Sequence, residues 1–265
     1  MKKLRKFSVL LLLAILLVGC SNKETIKVAA TSVPHAEILE EAKVLLQQEG
    51  INLEIVVVQD YVTPNQFLDS GDVDLNYFQH IPYLDAQKIE FNYDFDIAAR
   101  VHIEPIGVYS NVYNNASEIK EGSKVIFSSS VADHGRILSL LEVEGLITLK
   151  EGVNKQSAGV TDIATNPLNL EFVYDIEASL LPKVLENNEG DLVIINTNYA
   201  LQAGLNPLED AILIEGEKSL YVNVLAVLNE RKNEESIQKV VDVLTGKEIS
   251  DFIKNKYEGA VVPVN

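Results

Sequence analysis

The sequence predicts an α/β protein of two lobes, and three observations carry that expectation. β-Branched apolar runs alternate with helical periodicity from Ile26 onward, the pattern of a parallel or mixed sheet flanked by helices. The alternation runs as far as Glu104-Pro105-Ile106 and then begins again, with no low-complexity linker between the two sets. At 265 residues the chain also reaches the size at which single cores stop growing. A single continuous Rossmann-like sheet is compatible with the same alternation.

Lys2, Lys3, Arg5 and Lys6 precede an apolar run from Phe7 to Val18, interrupted only by Ser8, which reads as a secretory signal peptide over residues 1–19. Leu17-Val18-Gly19 then lead into Cys20, the single cysteine of the chain. This resembles the lipobox of bacterial lipoproteins, whose cysteine is acylated and becomes the new N-terminus; the alternative is an ordinary signal with an incidental cysteine. A lone cysteine forms no internal disulfide. Residues 20–25 read as a short lipidated tether.

The mature part opens with a buried strand over 26–31, an amphipathic helix over 36–48 and a second strand over 53–59. A short helix (64–68), a third strand (73–77), a helix (82–88) and an extended segment (96–103) follow. In the second set, strands at 124–127, 170–174 and 192–196 enclose helices at 135–144 and 178–186. A strand over 221–228 and a helix over 234–244 have no partner in that set and are expected to return to the first. The expected lobes are thus 26–105 plus 221–265, and 106–220. The chain would cross near 104–107 and 215–219, leaving a cleft that closes about a hinge.

The formal net charge is −17, and the signal contributes four cations and no acids, so the mature part is more acidic still. No basic stripe exists to displace phosphate counterions, which excludes nucleic acid as a partner. The acid is read as surface solubility.

Neither a phosphate-cradling glycine loop nor a nucleophile elbow occurs, which removes support for a nucleotide cofactor. Ser128, Ser129 and Ser130 lie near Asp133 and His134; they read as a polar loop capping the next helix, with a serine–histidine hydrolase as the alternative. His35, His80, His102 and His134 fall at expected strand ends or junctions, where open α/β sheets face their ligand crevice. With Glu37, Asp133 or Glu104 they would suit zinc or manganese, although the spacing is that of no local metal motif. Beyond the signal only Arg100, Arg136 and Arg231 occur, and Arg136 follows Gly135 where a helix is expected to start. There a guanidinium and free backbone N–H groups would clamp a carboxylate bidentately; the alternative is a surface arginine. The segment from Tyr77 to Tyr83 is dense in aromatics, either a core edge or the apolar wall of a pocket.

These residues carry a specific resemblance. Pro34-His35-Ala36-Glu37-Ile38-Leu39, Asn76-Tyr77-Phe78-Gln79-His80 with Pro82-Tyr83-Leu84, Val101-His102-Ile103-Glu104-Pro105, Gly135-Arg136 and Asn198-Tyr199-Ala200 span nearly the whole mature chain. Together they resemble the NlpA lipoprotein family, known for methionine-binding lipoproteins of ABC importers. The resemblance implies a two-lobed periplasmic-binding-protein fold, type II-like, with no catalysis and no cofactor. It implies an amino acid as ligand, methionine foremost, an importer permease as partner, and a lipid anchor at the extracytoplasmic face of the membrane. Tyr61, Phe78, His80 and Tyr83 would line the side-chain pocket. Arg136 would bind the carboxylate, Asn196 and Asn223 would fix the polar end, and His102 lies on a matched motif nearby. Two departures stand out. Where the family commonly has Asn-Asp-Pro-Thr-Asn before Gly-Arg, this chain has Ser129-Ser130-Val131-Ala132-Asp133 followed by His134, and the usual Ser-Pro-Tyr is Ser219-Leu220-Tyr221. Another amino acid or a short peptide is therefore a second ligand class, and a zinc or manganese receptor a second function.

Overall fold

The computed structural model describes residues 24–216 and 219–265; the signal peptide 1–19, Cys20 and most of the tether lie outside them. β1 (Glu24–Thr31) ends in four consecutive buried residues, as a strand covered on both faces must. A tight turn over Ser32–Ala36 leads into α1 (Glu37–Gln48), which buries Ile38, Leu39, Ala42 and Leu46 as one stripe. β2 (Ile51–Val58), α2 (Thr63–Ser70), β3 (Leu75–His80), α3 (Ile81–Phe91) and β4 (Phe95–Ile103) complete the first run.

The second run comprises β5 (Gly107–Tyr109), β6 (Lys124–Ser128), α4 (Val131–Val143), the short paired β7 (Thr148–Leu149) and β8 (Ile163–Thr165), and β9 (Glu171–Ile176). It continues through α5 (Leu181–Glu186), β10 (Leu192–Ile195), α6 (Thr197–Gln202), α7 (Pro207–Asp210) and β11 (Ala211–Ile214). The chain then passes through β12 (Val222–Leu228), α8 (Glu235–Leu244), α9 (Lys247–Tyr257) and β13 (Val262–Pro263).

Among the described residues two large sheets result, beside the small β7–β8 pair. The six-stranded one has the order β13-β4-β12-β3-β1-β2, and the five-stranded one β11-β5-β10-β6-β9. β1 runs parallel to β2 and β3, whereas β12 is inserted antiparallel to both β3 and β4. On one face of the first sheet Val28, Tyr77 and Leu225 pack with Leu39, Ile237 and Ile253 of the helices; on the other Ala29, Val224 and Ala226 pack with Leu68 and Leu84. The second sheet is likewise covered on both sides, by Ile137 and Leu141 of α4 on one and by Leu181 and Leu185 of α5 on the other. Burial on both faces explains the nearly continuous apolar runs of the central strands.

Helix α4 differs from expectation in where it begins. It starts at Val131, directly after an extended Ser130, and places Asp133 in its first turn, where an acid complements the helix dipole. Arg136 is therefore in the second turn and cannot act beside free terminal N–H groups. The segment expected as one helix over 178–186 opens as a 3-10 turn (Ala178–Leu180) before α5.

Candidate functional site

The carboxyl ends of β3 and β4, the start of α4, the end of β10 and the start of β12 converge between the two sheets, where ligand crevices form in open α/β folds. The cavity there is lined by Tyr61, Phe78, His80, Tyr83, Arg136, Asn196 and Asn223, seven of the eight residues expected from the sequence. His102 is not in the wall; it is buried behind Glu104. The cavity is slim, about 30 Å³ in volume.

One end of the cavity is aromatic. The rings of Tyr61, Phe78 and Tyr83 sit 6.0–6.1 Å apart, centroid to centroid, in tilted and edge-on pairs. Their positions are locked: Tyr61 donates to Asn198 Oδ1 at 2.7 Å, and Tyr83 donates to the Tyr61 carbonyl at 2.9 Å. Burial pushes both hydroxyls above their ordinary range, so they remain neutral.

The other end is polar. His80 caps α3 by accepting the Tyr83 N–H at its Nδ1, which leaves Nε2 to donate to Asp133 Oδ1 at 3.0 Å. Asp133 Oδ2 accepts from Asn196 Nδ2 at 3.1 Å, and its other oxygen lies 3.5 Å from Arg136 Nη1. Burial alone would raise the Asp133 carboxyl, but His80, Arg136 and Asn196 outweigh it and hold it below the usual carboxylate range. Arg136, itself buried, donates through Nε and Nη2 to Glu215 Oε2 and through Nη2 to the Glu104 carbonyl at 2.7 Å. The bidentate edge expected to clamp a ligand carboxylate is thus occupied by Glu215, and Nη1 is the free edge. Asn196 Oδ1 and Asn198 Nδ2 are two of the five buried side-chain atoms without a hydrogen-bond partner among the described residues. One is an acceptor and the other a donor, and both residues line the cavity.

Behind this wall lies a fully buried network. His102 Nε2 and His35 Nε2 approach Glu104 Oε1 at 2.7 and 3.2 Å; Thr31 Oγ1 meets His35 Nδ1 at 2.8 Å, and the Tyr77 hydroxyl meets His102 Nδ1. Burial, outweighing the attraction of Glu104, lowers His35 to about 4, and burial lowers His102 to about 3. Burial raises the Glu104 carboxyl, against the pull of His35 and Arg136. The three groups are close enough to hold a metal ion. All four ring nitrogens already have partners, however, and neutral imidazoles with one carboxylate satisfy the network by hydrogen bonds alone.

The serine–histidine arrangement does not assemble. His134 Nε2 donates to the Ser128 carbonyl at 3.0 Å, its ring packs edge-on against Phe127 and Tyr174, and it is not in the cavity wall. Five lining residues were outside the expected set: Gln79, Glu104, Asp133, Thr197 and Asn198. Gln79, Glu104 and Asn198 lie within the motif segments and Asp133 within a departure from them, so proximity to those motifs was the signal available.

The profile described as NlpA lipoprotein matches residues 26–265 of this chain. The methionine-binding lipoprotein MetQ of Bacillus subtilis is 44% identical over 275 residues, covering 100% of both chains. The D-methionine-binding lipoprotein MetQ of Escherichia coli K12 is 36% identical and covers 93% of this chain and 92% of its own. Among solved structures, a nutrient binding protein from Burkholderia cenocepacia bound to methionine superposes with a TM-score of 0.86 at 37% identity, over 91% of this chain and 100% of that one.

Proposed function

Because this chain belongs to the NlpA lipoprotein family, with the two-lobed α/β fold of its relatives, we propose that it is a substrate-binding lipoprotein holding methionine in the cavity between its lobes and serving an ABC importer. It performs no catalysis on this reading. The lobes are assigned as 26–105 plus 221–265 and 106–220, and acylated Cys20 anchors them to the extracytoplasmic face of the membrane. No helix among the described residues is long and apolar enough to span a bilayer.

The observation that carries this reading is the two-ended cavity. A thioether side chain suits the ring trio of Tyr61, Phe78 and Tyr83, since sulfur packs favourably at aromatic edges. An α-amino acid head supplies both an N–H donor for Asn196 Oδ1 and an acceptor for Asn198 Nδ2. Arg136 and Asp133 offer opposite charges to the zwitterion, and Asn223 and His80 complete the polar wall. His102 acts from behind, supporting Glu104.

Mass spectrometry of the small molecules released from gently purified, denatured protein tests the reading. Unmodified methionine at near-stoichiometric amount is expected, with saturable rebinding by calorimetry. A hydrolysis product, stoichiometric tightly held zinc, or a dipeptide in place of methionine would each overturn it.

A further inference from the structure

Arg136 joins the cavity to both segments by which the chain crosses between its sheets. On the first crossing it donates to the Glu104 carbonyl at 2.7 Å; on the second, Glu215 takes its Nε and Nη2. Glu215 is itself tied to the first crossing twice, through its N–H to the Ile106 carbonyl at 2.9 Å and through Oε2, which accepts the Ile106 N–H at 3.3 Å. Its other oxygen accepts from Ser219 at 3.0 Å, and the Tyr221 ring covers the guanidinium face at 4.6 Å. Nη1 is treated differently. Its nearest acid, Asp133, stands at 3.5 Å, beyond good hydrogen-bond length, and both residues line the cavity.

We propose that Glu215 is the positioning residue for Arg136: by taking the Nε–Nη2 edge it presents Nη1 alone to the ligand, so that a ligand carboxylate binds Arg136 end-on. This rests on the reading of the cavity as an amino-acid site. Without Glu215 the one carboxylate left in ion-pair contact with the buried guanidinium is Asp133, at 3.5 Å, the Glu104 carboxyl acting on it from farther away. A buried charge closes on whatever counter-charge is available. Arg136 would then turn into the cavity, neutralise Asp133 and cease to discriminate a carboxylate from a neutral group.

The test is titration calorimetry of the wild type, Glu215→Ala and Glu215→Gln with two probes, methionine and methioninamide, whose carboxylate is replaced by a neutral amide. The wild type is expected to prefer methionine strongly. In Glu215→Ala that preference should shrink by roughly ten-fold or more while amide affinity stays within about three-fold, on the scale of losing one desolvated charge contact. Glu215→Gln keeps an acceptor oxygen and should recover part of the preference; if the alanine variant does not fold, the glutamine variant alone must show a reduced ratio. Equal weakening toward both probes marks a merely structural role and overturns the proposal, as does an unchanged ratio. Failure of the wild type to bind either probe overturns instead the amino-acid reading on which the proposal stands.

Discussion

Arg136 faces two carboxylates, Glu215 and Asp133, within the same buried cluster, so truncating it does two things at once. It removes the proposed ligand contact and strands two acids. Arg136→Ala should therefore lose about 2–5 kcal/mol of methionine affinity and also about 3–5 kcal/mol of stability, since breaking a buried pair leaves its partners uncompensated. Arg136→Lys keeps the charge but not the planar fork and should fall between. Calorimetry and melts of the ligand-free variants separate the two losses, and an alanine variant with wild-type affinity would remove Arg136 from the site. A second expectation concerns acid. His35 and His102 are lowered to about 4 and about 3, below 6.5, so in that window the unfolded chain binds protons that the folded chain does not. The stability they contribute is complete above about pH 6.5 and is lost as pH falls, at up to about 1.4 kcal/mol per pH unit for each. Glu104, raised by burial, has the opposite sign and offsets part of the loss. The melting midpoint should thus decline between about pH 6.5 and 4.5, less steeply in His102→Asn; an equally steep decline in that variant would take His102 out of the account. Arg136 was legible because so few arginines follow the signal, and His35, His80 and His102 because they sit at strand ends. Glu215 was not, because one acid among 39 carries no mark until the fold brings it to a guanidinium.

The elements divide by how they are buried. β1, β3, β10 and β12 are enclosed on both faces and show as apolar runs, whereas β5 and β11, of three and four residues, are too short for any periodicity to register. α9 did carry a readable pattern, with Ile249, Ile253 and Tyr257 four apart on its buried face, diluted by the charges between them. α4 was misplaced at its start because Gly135 reads as a boundary. The structure gives that glycine another purpose: a Cβ there would lie 2.3 Å from the Lys155 carbonyl oxygen and 2.5 Å from that of Gln156. The helix packs backbone to backbone on the segment Lys155–Ser157. Gly135→Ala must push the two apart, and should cost about 1–3 kcal/mol with a lower urea midpoint and little change in m. A midpoint equal to the wild type would show that the segment moves freely. Because Arg136 is the next residue, the same displacement should weaken methionine binding.

Across the whole molecule the two lobes touch around the cavity rim. Tyr61 donates to Asn198, Tyr199 to the Gln59 carbonyl at 3.1 Å, and Gln202 bonds Gln59 at 2.8 Å and Ser32 at 3.0 Å. These bonds exist only while the lobes are together, so they act on release more than on capture. Tyr61→Phe keeps the ring and deletes one of them; methionine should dissociate roughly two- to ten-fold faster, the equivalent of about 0.5–1.5 kcal/mol, with association nearly unchanged. Stopped-flow tyrosine fluorescence can follow this in a chain without tryptophan, and a slower association with unchanged release would contradict it. The two lobes were legible from the restart after Pro105, but the contacts between them were not, because they pair residues more than a hundred positions apart. That separation has a further meaning in time. β12, centred in the first sheet, pairs Leu225 with Tyr77 and Ala226 with Asn76, while the second sheet is complete at Ile214. In a chain that emerges N-terminus first, the later-made lobe can finish first. Hydrogen exchange on chains halted at Gly216 during synthesis should accordingly find β6 and β10 protected while β3 is not. Until Leu228 arrives, β3 stands as a raw edge and β4, whose only neighbours are β12 and β13, has no strand to pair with, so whatever escorts the newborn chain must keep both from being claimed by a stranger.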